Sequence, residues 1–228
     1  MIEGLPVIRE AFPRTVRLVT TARLRDSVLL ALVDQAELDA LAEIEGATSQ
    51  RLIIQERGSP ALDSKELIHG VPHATFVNAA FANAKPRELN RFNGPDRGAW
   101  YAALAVETAF AEVQFHLTDF LARTGVFEAT VEYAELFASF AGEFVDLRAD
   151  RKHRALSPDP SGGYPAGNLI ADSARAKGIN GVVYPSVRHD GGTCFAALFP
   201  HAVQSVTQGD VYRLVWAGNQ SPAVNKVS

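Results

Sequence analysis

The sequence predicts an α+β fold, a mixed β core with flanking helices. Two observations carry this reading. Strand-like segments outnumber helical ones, and the two kinds do not alternate strictly, which argues against a doubly wound parallel sheet. After a lead-in to about Pro13, Thr15 to Thr20 (TVRLVT) is β-branched and apolar and reads as a strand. Asp26 or Ser27 caps an expected helix to about Ile44, in which Leu30, Val33, Leu38, Leu41 and Ile44 recur at helical spacing; Gly46 stops it. A turn at Thr48 to Gln50 leads to a short apolar run, Leu52 to Ile54. Residues 58 to 98 are punctuated by Gly and Pro and read as loops with short elements.

The sharpest local pattern follows. Ala99 to Leu104 (AWYAAL) reads as a strand, and a helix from Val106 to Leu121 carries one apolar stripe of Val106, Ala109, Phe110, Val113, Leu117, Phe120 and Leu121. The segment VFEATVEY alternates, with Phe127, Ala129, Val131 and Tyr133 on one face, as a half-buried strand does. Phe144 to Leu147 is a short strand, and residues 157 to 168 (SPDPSGGYPAGN) read as a loop before a helix that ends near Lys177, with Gly178 as its cap. Gly181 to Pro185 and Cys194 to Phe199 are buried strands around a loop, Ser186 to Gly192. A last strand runs from Val211 to Trp216, and the polar tail is expected to fray. With no repeat, low-complexity segment or convincing linker, residues 1–228 read as a single domain.

Composition narrows the function. Apolar residues make up 47% and charged residues 21%, enough for an ordinary core. The net charge of −4 speaks against direct nucleic-acid binding, and so against a nuclease. The single cysteine, Cys194, cannot form an internal disulfide and fits a reducing compartment. No basic segment followed by an apolar run opens the chain, and no apolar stretch approaches the roughly 20 residues that span a bilayer. The cytoplasm is the expected location.

Four residues stand out. Arg91, in the polar stretch RFNGPDRG, offers a planar fork of donors that matches phosphate oxygens; alone, it also reads as a surface arginine. Tyr101 alternates with Trp100, Ala102 and Leu104, so it faces away from their core, ready either to stack on a flat ring or to pack on the second face. Glu112 lies beside the apolar stripe of its helix, one turn before His116, where a carboxylate points into a cleft or into solvent. Ser186 opens the loop SVRHDGG at a strand end, as a ligand contact or a turn former, with Arg188, His189 and Asp190 adding donors and acceptors. A Ser–His–Asp triad packed into one loop rarely reaches the required geometry, and no G-x-S-x-G elbow is present. There is no P-loop, G-x-G-x-x-G or H-E-x-x-H, and Gly70 and Pro72 separate His69 from His73, so no metal is expected.

Taken in order, RFNGPDRGAWYAALAVETAFAEVQFH and GVVYPSVRHDGGTCFAALF resemble the RES-domain family, named for its Arg, Glu and Ser. The resemblance covers roughly residues 87 to 200, with weaker likeness around Arg17. Arg91 matches the motif arginine, Tyr101 the tyrosine, Glu112 the glutamate and Ser186 the serine. The resemblance implies an ADP-ribosyltransferase-like core over about residues 87–216 behind an N-terminal extension of about 1–86, and a toxin of a toxin–antitoxin pair that consumes NAD. Its partner is then a cognate antitoxin, typically a small helical DNA-binding protein that blocks the site. Some members degrade NAD to free products and others move ADP-ribose onto a protein. The extra helix near residues 27 to 44 bears on that choice.

The residues suit this chemistry. Cleaving the nicotinamide–ribose bond releases a neutral base and leaves an oxocarbenium-like sugar. Glu112 stabilises the developing charge, Arg91 binds the pyrophosphate, Tyr101 stacks on nicotinamide, Ser186 orients the ribose or amide, and Arg17 is a second phosphate contact. The readings to separate are an ADP-ribosyltransferase acting on a host protein, an NAD glycohydrolase or phosphorylase, and a catalytically dead antitoxin-binding module, against which the intact set of four counts. Because no metal-ligand set is visible, EDTA is expected to leave NAD turnover by the purified protein intact; complete loss restored by zinc or magnesium would reveal a metal site.

Overall fold

The computed structural model describes residues 2–21, 58–59, 61–82 and 89–227. The expected helix at 27–44, its Gly46 stop, the turn at 48–50 and the run Leu52 to Ile54 lie outside the described residues.

The expected lead-in is already strand. β1 spans Val7–Thr20. Its first half pairs with the far end of a long strand, from Val7↔Val145 to Phe12↔Phe140, and the register shifts between Phe12 and Thr15. Pro13 falls in that irregularity, where its missing N–H removes no ladder bond. A two-residue pair, β2 (Gly58–Ser59) and β3 (Leu62–Asp63), forms its own small sheet and leads to helix α1, Ala74–Ala82. Then come β4 (Trp100–Ala103) and helix α2 (Val106–Thr124), which ends at Gly125 with φ of 71°. In α2, Thr118 Oγ1 accepts a hydrogen bond from Trp216 Nε1 at 3.2 Å. This fixes which face of the last turn is inward. Phe120 lies about 200° round the axis from Thr118, so it leaves the expected stripe and is 58% exposed.

The alternating segment and the short strand at 144–147 are one element, β5, Glu128–Asp146. Only its first half has a solvated face. From Ala134 to Phe140 both faces are covered, with Leu136, Ala138 and Phe140 in one core and Phe137 packed against the other, so alternation disappears from the sequence. The stretch 157–168, expected as a loop, is mostly helix: α3 spans Pro160–Ala176. Asp159 caps it, accepting from Ser161 N at 3.0 Å, and Pro160 takes the first position, where no N–H is needed. β6 (Gly181–Pro185) and β7 (Thr193–Ala197) form the expected hairpin. β8 starts earlier than expected, Gln204–Ala217, and the tail adds β9, Ala223–Lys226. The tail is held there by pairing of Tyr212 with Lys226 and by an ion pair between Lys226 Nζ and Asp210 Oδ2 at 2.7 Å.

The fold is therefore α+β, with a seven-stranded mixed sheet in the order β1-β4-β7-β6-β5-β8-β9, and β1 also pairs with β5. Those pairings close a ring through β1, β4, β7, β6 and β5, in which only β5–β6 is parallel. Successive residues enter opposite cores. Trp100, Ala102, Phe195 and Ala197 join one; Tyr101, Ala103, Cys194 and Ala196 face the other, beneath α2 and α3. Leu104, expected to continue the Trp100 face, lies past the end of β4 and is 52% exposed. Among the described residues, no helix is long and apolar enough to cross a membrane.

Phe195 is fully buried, with ring centroids 4.6 Å from Phe12 and 5.5 Å from Phe140. Phe195→Ala is expected to remove about 3–5 kcal/mol of stability, read as a lower urea midpoint at constant slope; a loss below ~1 kcal/mol would contradict close packing of this core.

Candidate active site

A cleft of about 250 Å3 opens on the face of the sheet that carries α2 and α3. Arg17, Arg91, Tyr101, Glu112, Tyr164 and Arg188 line it. Four of the five residues singled out in the sequence thus line one cleft, and the fifth, Ser186, is bonded to Glu112 without lining the cleft itself.

Arg91 sits in the tight turn bounded by the Asn90↔Asn93 bridge. It is 8% exposed, and its Nη1 donates to Ala155 O at 2.5 Å and Ser157 O at 3.0 Å. Two of its five N–H donors are thus used by the chain and three remain. Its guanidinium carbon lies 5.3 Å from the Tyr164 ring centroid. The turn is gripped by α3: Asn168 Nδ2 donates to Asn90 O at 2.7 Å, and a Cβ on Gly167 would lie 1.9 Å from Arg91 O. A Cβ on Gly163 would lie 3.1 Å from Arg91 Nη1. The Gly-rich stretch that resembles a loop is thus the helix face that lets α3 touch the arginine turn backbone to backbone.

Tyr101 projects from β4 with its ring on the cleft and its hydroxyl anchored. The hydroxyl donates to Asn93 Oδ1 and accepts from Phe92 N, both at 2.9 Å. Burial pushes the phenol far above its usual range, so it stays neutral. Arg17 reaches in from β1, donating through Nη1 to Tyr101 O at 3.3 Å, with its guanidinium 4.8 Å from the Trp100 ring centroid.

Glu112 projects from the middle of α2. Ser186 Oγ donates to its Oε1 at 2.7 Å and Cys194 Sγ approaches the same oxygen at 3.7 Å, while Oε2 has no partner among the described residues. The Ser186 hydroxyl in turn accepts the backbone N–H groups of Arg188, at 3.1 Å, and His189, at 3.0 Å. With its lone pairs so engaged, its one proton is given to the carboxylate. Burial, and then the Glu112 charge, push the Cys194 thiol far up, so it is an inert neutral donor. The loop is pinned again where His189 Nδ1 meets Thr108 Oγ1 at 2.8 Å. Ser186, His189 and Asp190 do not form a triad, since Asp190 pairs with Arg151 Nη1 at 2.9 Å.

Sequence reasoning missed Asn93, Tyr164, Tyr184 and Cys194 as parts of this region, and took Arg188 only as an added donor near Ser186. Only Arg188 had a signal, its place in the loop after Ser186. Among the described residues, no three His, Cys, Asp or Glu side chains are grouped to hold a metal ion.

A family model described as the RES domain matches residues 67–217. Comparison with curated proteins gives no match. Among solved structures, the chain is similar to one described as the crystal structure of the M.tuberculosis MbcT-MbcA toxin-antitoxin complex, with a TM-score of 0.42 and 11% identity, over 91% of this chain and 89% of that one.

The contact of α3 with the arginine turn yields a paired test. Gly167→Ala drives a methyl into Arg91 O and is expected to cost about 1–3 kcal/mol; Gly162→Ala, with nothing within 4 Å of the added Cβ, is expected to be neutral or up to ~1 kcal/mol stabilising. Melting temperatures of the two variants measure the difference, and equal values would rule out the contact.

Proposed function

The chain belongs to the RES-domain family, and on that premise we propose that it is an NAD-consuming toxin of a toxin–antitoxin pair that cleaves the nicotinamide–ribose bond and transfers ADP-ribose to a host protein. The observation that carries this reading is one carboxylate, Glu112, held at Oε1 by Ser186 in a cleft that also bears Arg17, Arg91 and Arg188. A fixed negative charge among cations suits a substrate whose reacting sugar becomes positive while its phosphates are negative.

The nicotinamide ring leaves as a neutral base, so no acid is needed to expel it. Positive charge grows on the anomeric carbon, and the Oε2 side of Glu112 stabilises it without reorganising, because Oε1 is already fixed. Ser186 then acts through the carboxylate, as a positioning residue. Tyr101 offers its ring face to nicotinamide with its hydroxyl immobilised, which lowers the entropy lost on stacking. The free donors of Arg91, with Arg17 beside it, meet the pyrophosphate. The cleft of about 250 Å3 has room for the reacting end of the dinucleotide.

Glu112→Gln keeps the shape and loses the charge. Nicotinamide release by the pure variant is expected to fall ~10²–10³-fold with the melting temperature little changed; near-wild-type release would remove Glu112 from the chemistry. Mass spectrometry of NAD and host proteins after brief expression separates the acceptors: a modified protein supports transfer, while free ADP-ribose or its phosphate as the sole product would make the enzyme a glycohydrolase or phosphorylase.

Expression of the chain alone is expected to stop bacterial growth, and a co-encoded antitoxin to restore it by covering the cleft. An open NAD site in the cell meets its substrate continuously, so storage requires occlusion. Carboxylates of the partner pairing with Arg91 would mimic the pyrophosphate. Saturating NAD should then weaken the complex with the Glu112→Gln variant by mass action; an affinity that ignores NAD would mean inhibition from a distance.

A further inference from the structure

Arg188 is the cation of the cleft that the family motif leaves without a role. It lines the cavity with Arg91 and Glu112. Its guanidinium carbon lies over the Phe115 ring, 3.4 Å from the centroid, and Nη2 donates to Pro158 O at 3.0 Å. One donor of five is thus used, against two for Arg91. The two arginines hang from one short segment: Arg91 on the carbonyls of Ala155 and Ser157, Arg188 on that of Pro158. Its backbone N–H binds the same Ser186 hydroxyl that holds Glu112. Burial pulls the guanidinium below the usual arginine value, the nearby Arg91 charge pulls the same way, and Glu112 opposes both. A partly desolvated cation facing a second cation is relieved by an anion placed between them.

We infer that Arg188 is a specificity-determining residue: its guanidinium takes a phosphate oxygen of the substrate, so that the site selects pyrophosphate-bearing nicotinamide dinucleotides over nicotinamide riboside. This rests on the cleavage reaction proposed above. The arrangement also links binding to chemistry, since the loop that carries the phosphate contact carries the hydroxyl that aims the carboxylate. Were Arg188 only a fastener between its loop and Pro158, its loss would affect every substrate alike.

The experiment compares the ratio of kcat/KM for NAD to that for nicotinamide riboside in the wild type, Arg188→Gln and Arg188→Lys. The ratio is expected to fall roughly 10- to 100-fold in Arg188→Gln, the worth of one hydrogen bond to a charged group, and less in Arg188→Lys, which keeps the charge without the fork. Calorimetry with ADP-ribose, which has the pyrophosphate and lacks nicotinamide, is a second arm that needs no turnover; affinity should fall by a similar factor. An unchanged ratio or an unchanged ADP-ribose affinity overturns the role given to Arg188. If Arg188→Gln does not fold, Arg188→Lys decides by the same two measurements. Failure of the wild type to release nicotinamide from either substrate would instead overturn the cleavage reaction, and the ADP-ribose arm would still judge Arg188.

Discussion

The hydrogen bond from Ser186 to Glu112 is the constraint on which the rest of the site depends. It joins a hairpin loop of the sheet to the middle of a helix, 74 residues apart in sequence. A hydroxyl has one proton, and here two backbone N–H groups occupy its oxygen while the proton is given to the carboxylate. A bond of this kind to a charged group contributes about 1.5–3 kcal/mol, and the His189–Thr108 contact fastens the same loop to the same helix. The carboxylate thus arrives with one oxygen committed and the other without a hydrogen-bond partner among the described residues.

Much of the architecture was legible in the sequence where one face of an element is wet. The first half of β5 and the stripe of α2 announced themselves by periodicity, while β6 and β7, covered on both faces, were marked by short apolar runs on either side of a Gly-containing polar loop. In the middle of β5, where both faces are covered and no turn residues bound the run, the signal vanished. Ala134 to Phe140 is buried or half-buried on both sides and mixes Phe137 with the buried Glu135, so one long strand read as two fragments. The helix α3 was hidden for the opposite reason: its first turns carry Gly163, Pro165 and Gly167, which mark a loop by propensity and are tolerated because close approach to the Arg91 turn outweighs it.

The site was legible as a spaced set of residue types and illegible as geometry. Arg91, Tyr101 and Glu112 lie within a short stretch, and their common wall follows from a strand leading straight into a helix. Residues that meet them from elsewhere in the chain, such as Tyr164 on the face of Arg91 and Cys194 beneath Glu112, carried no local signal, because only tertiary packing brings them there. Ser186 was noted as a strand-end polar group, yet the direction of its proton depends on two amides that no sequence pattern reveals.

The closing of the strand ring by β1 has a consequence for the order in which the chain acquires its shape. Thr15 Oγ1 donates to Ala138 O across 123 residues, and β1 has no other long ladder to join. At a synthesis rate of ~5–20 residues per second, the N-terminal strand waits roughly 6–25 s for its partner to be made. Contacts this distant slow the search for the native state. Arg17, on that strand, is delivered to the cleft only when the ring closes. A fragment that stops before β7 therefore leaves the ring open, and the wall that carries Arg17, Tyr101 and Glu112 is incomplete until that strand is in place.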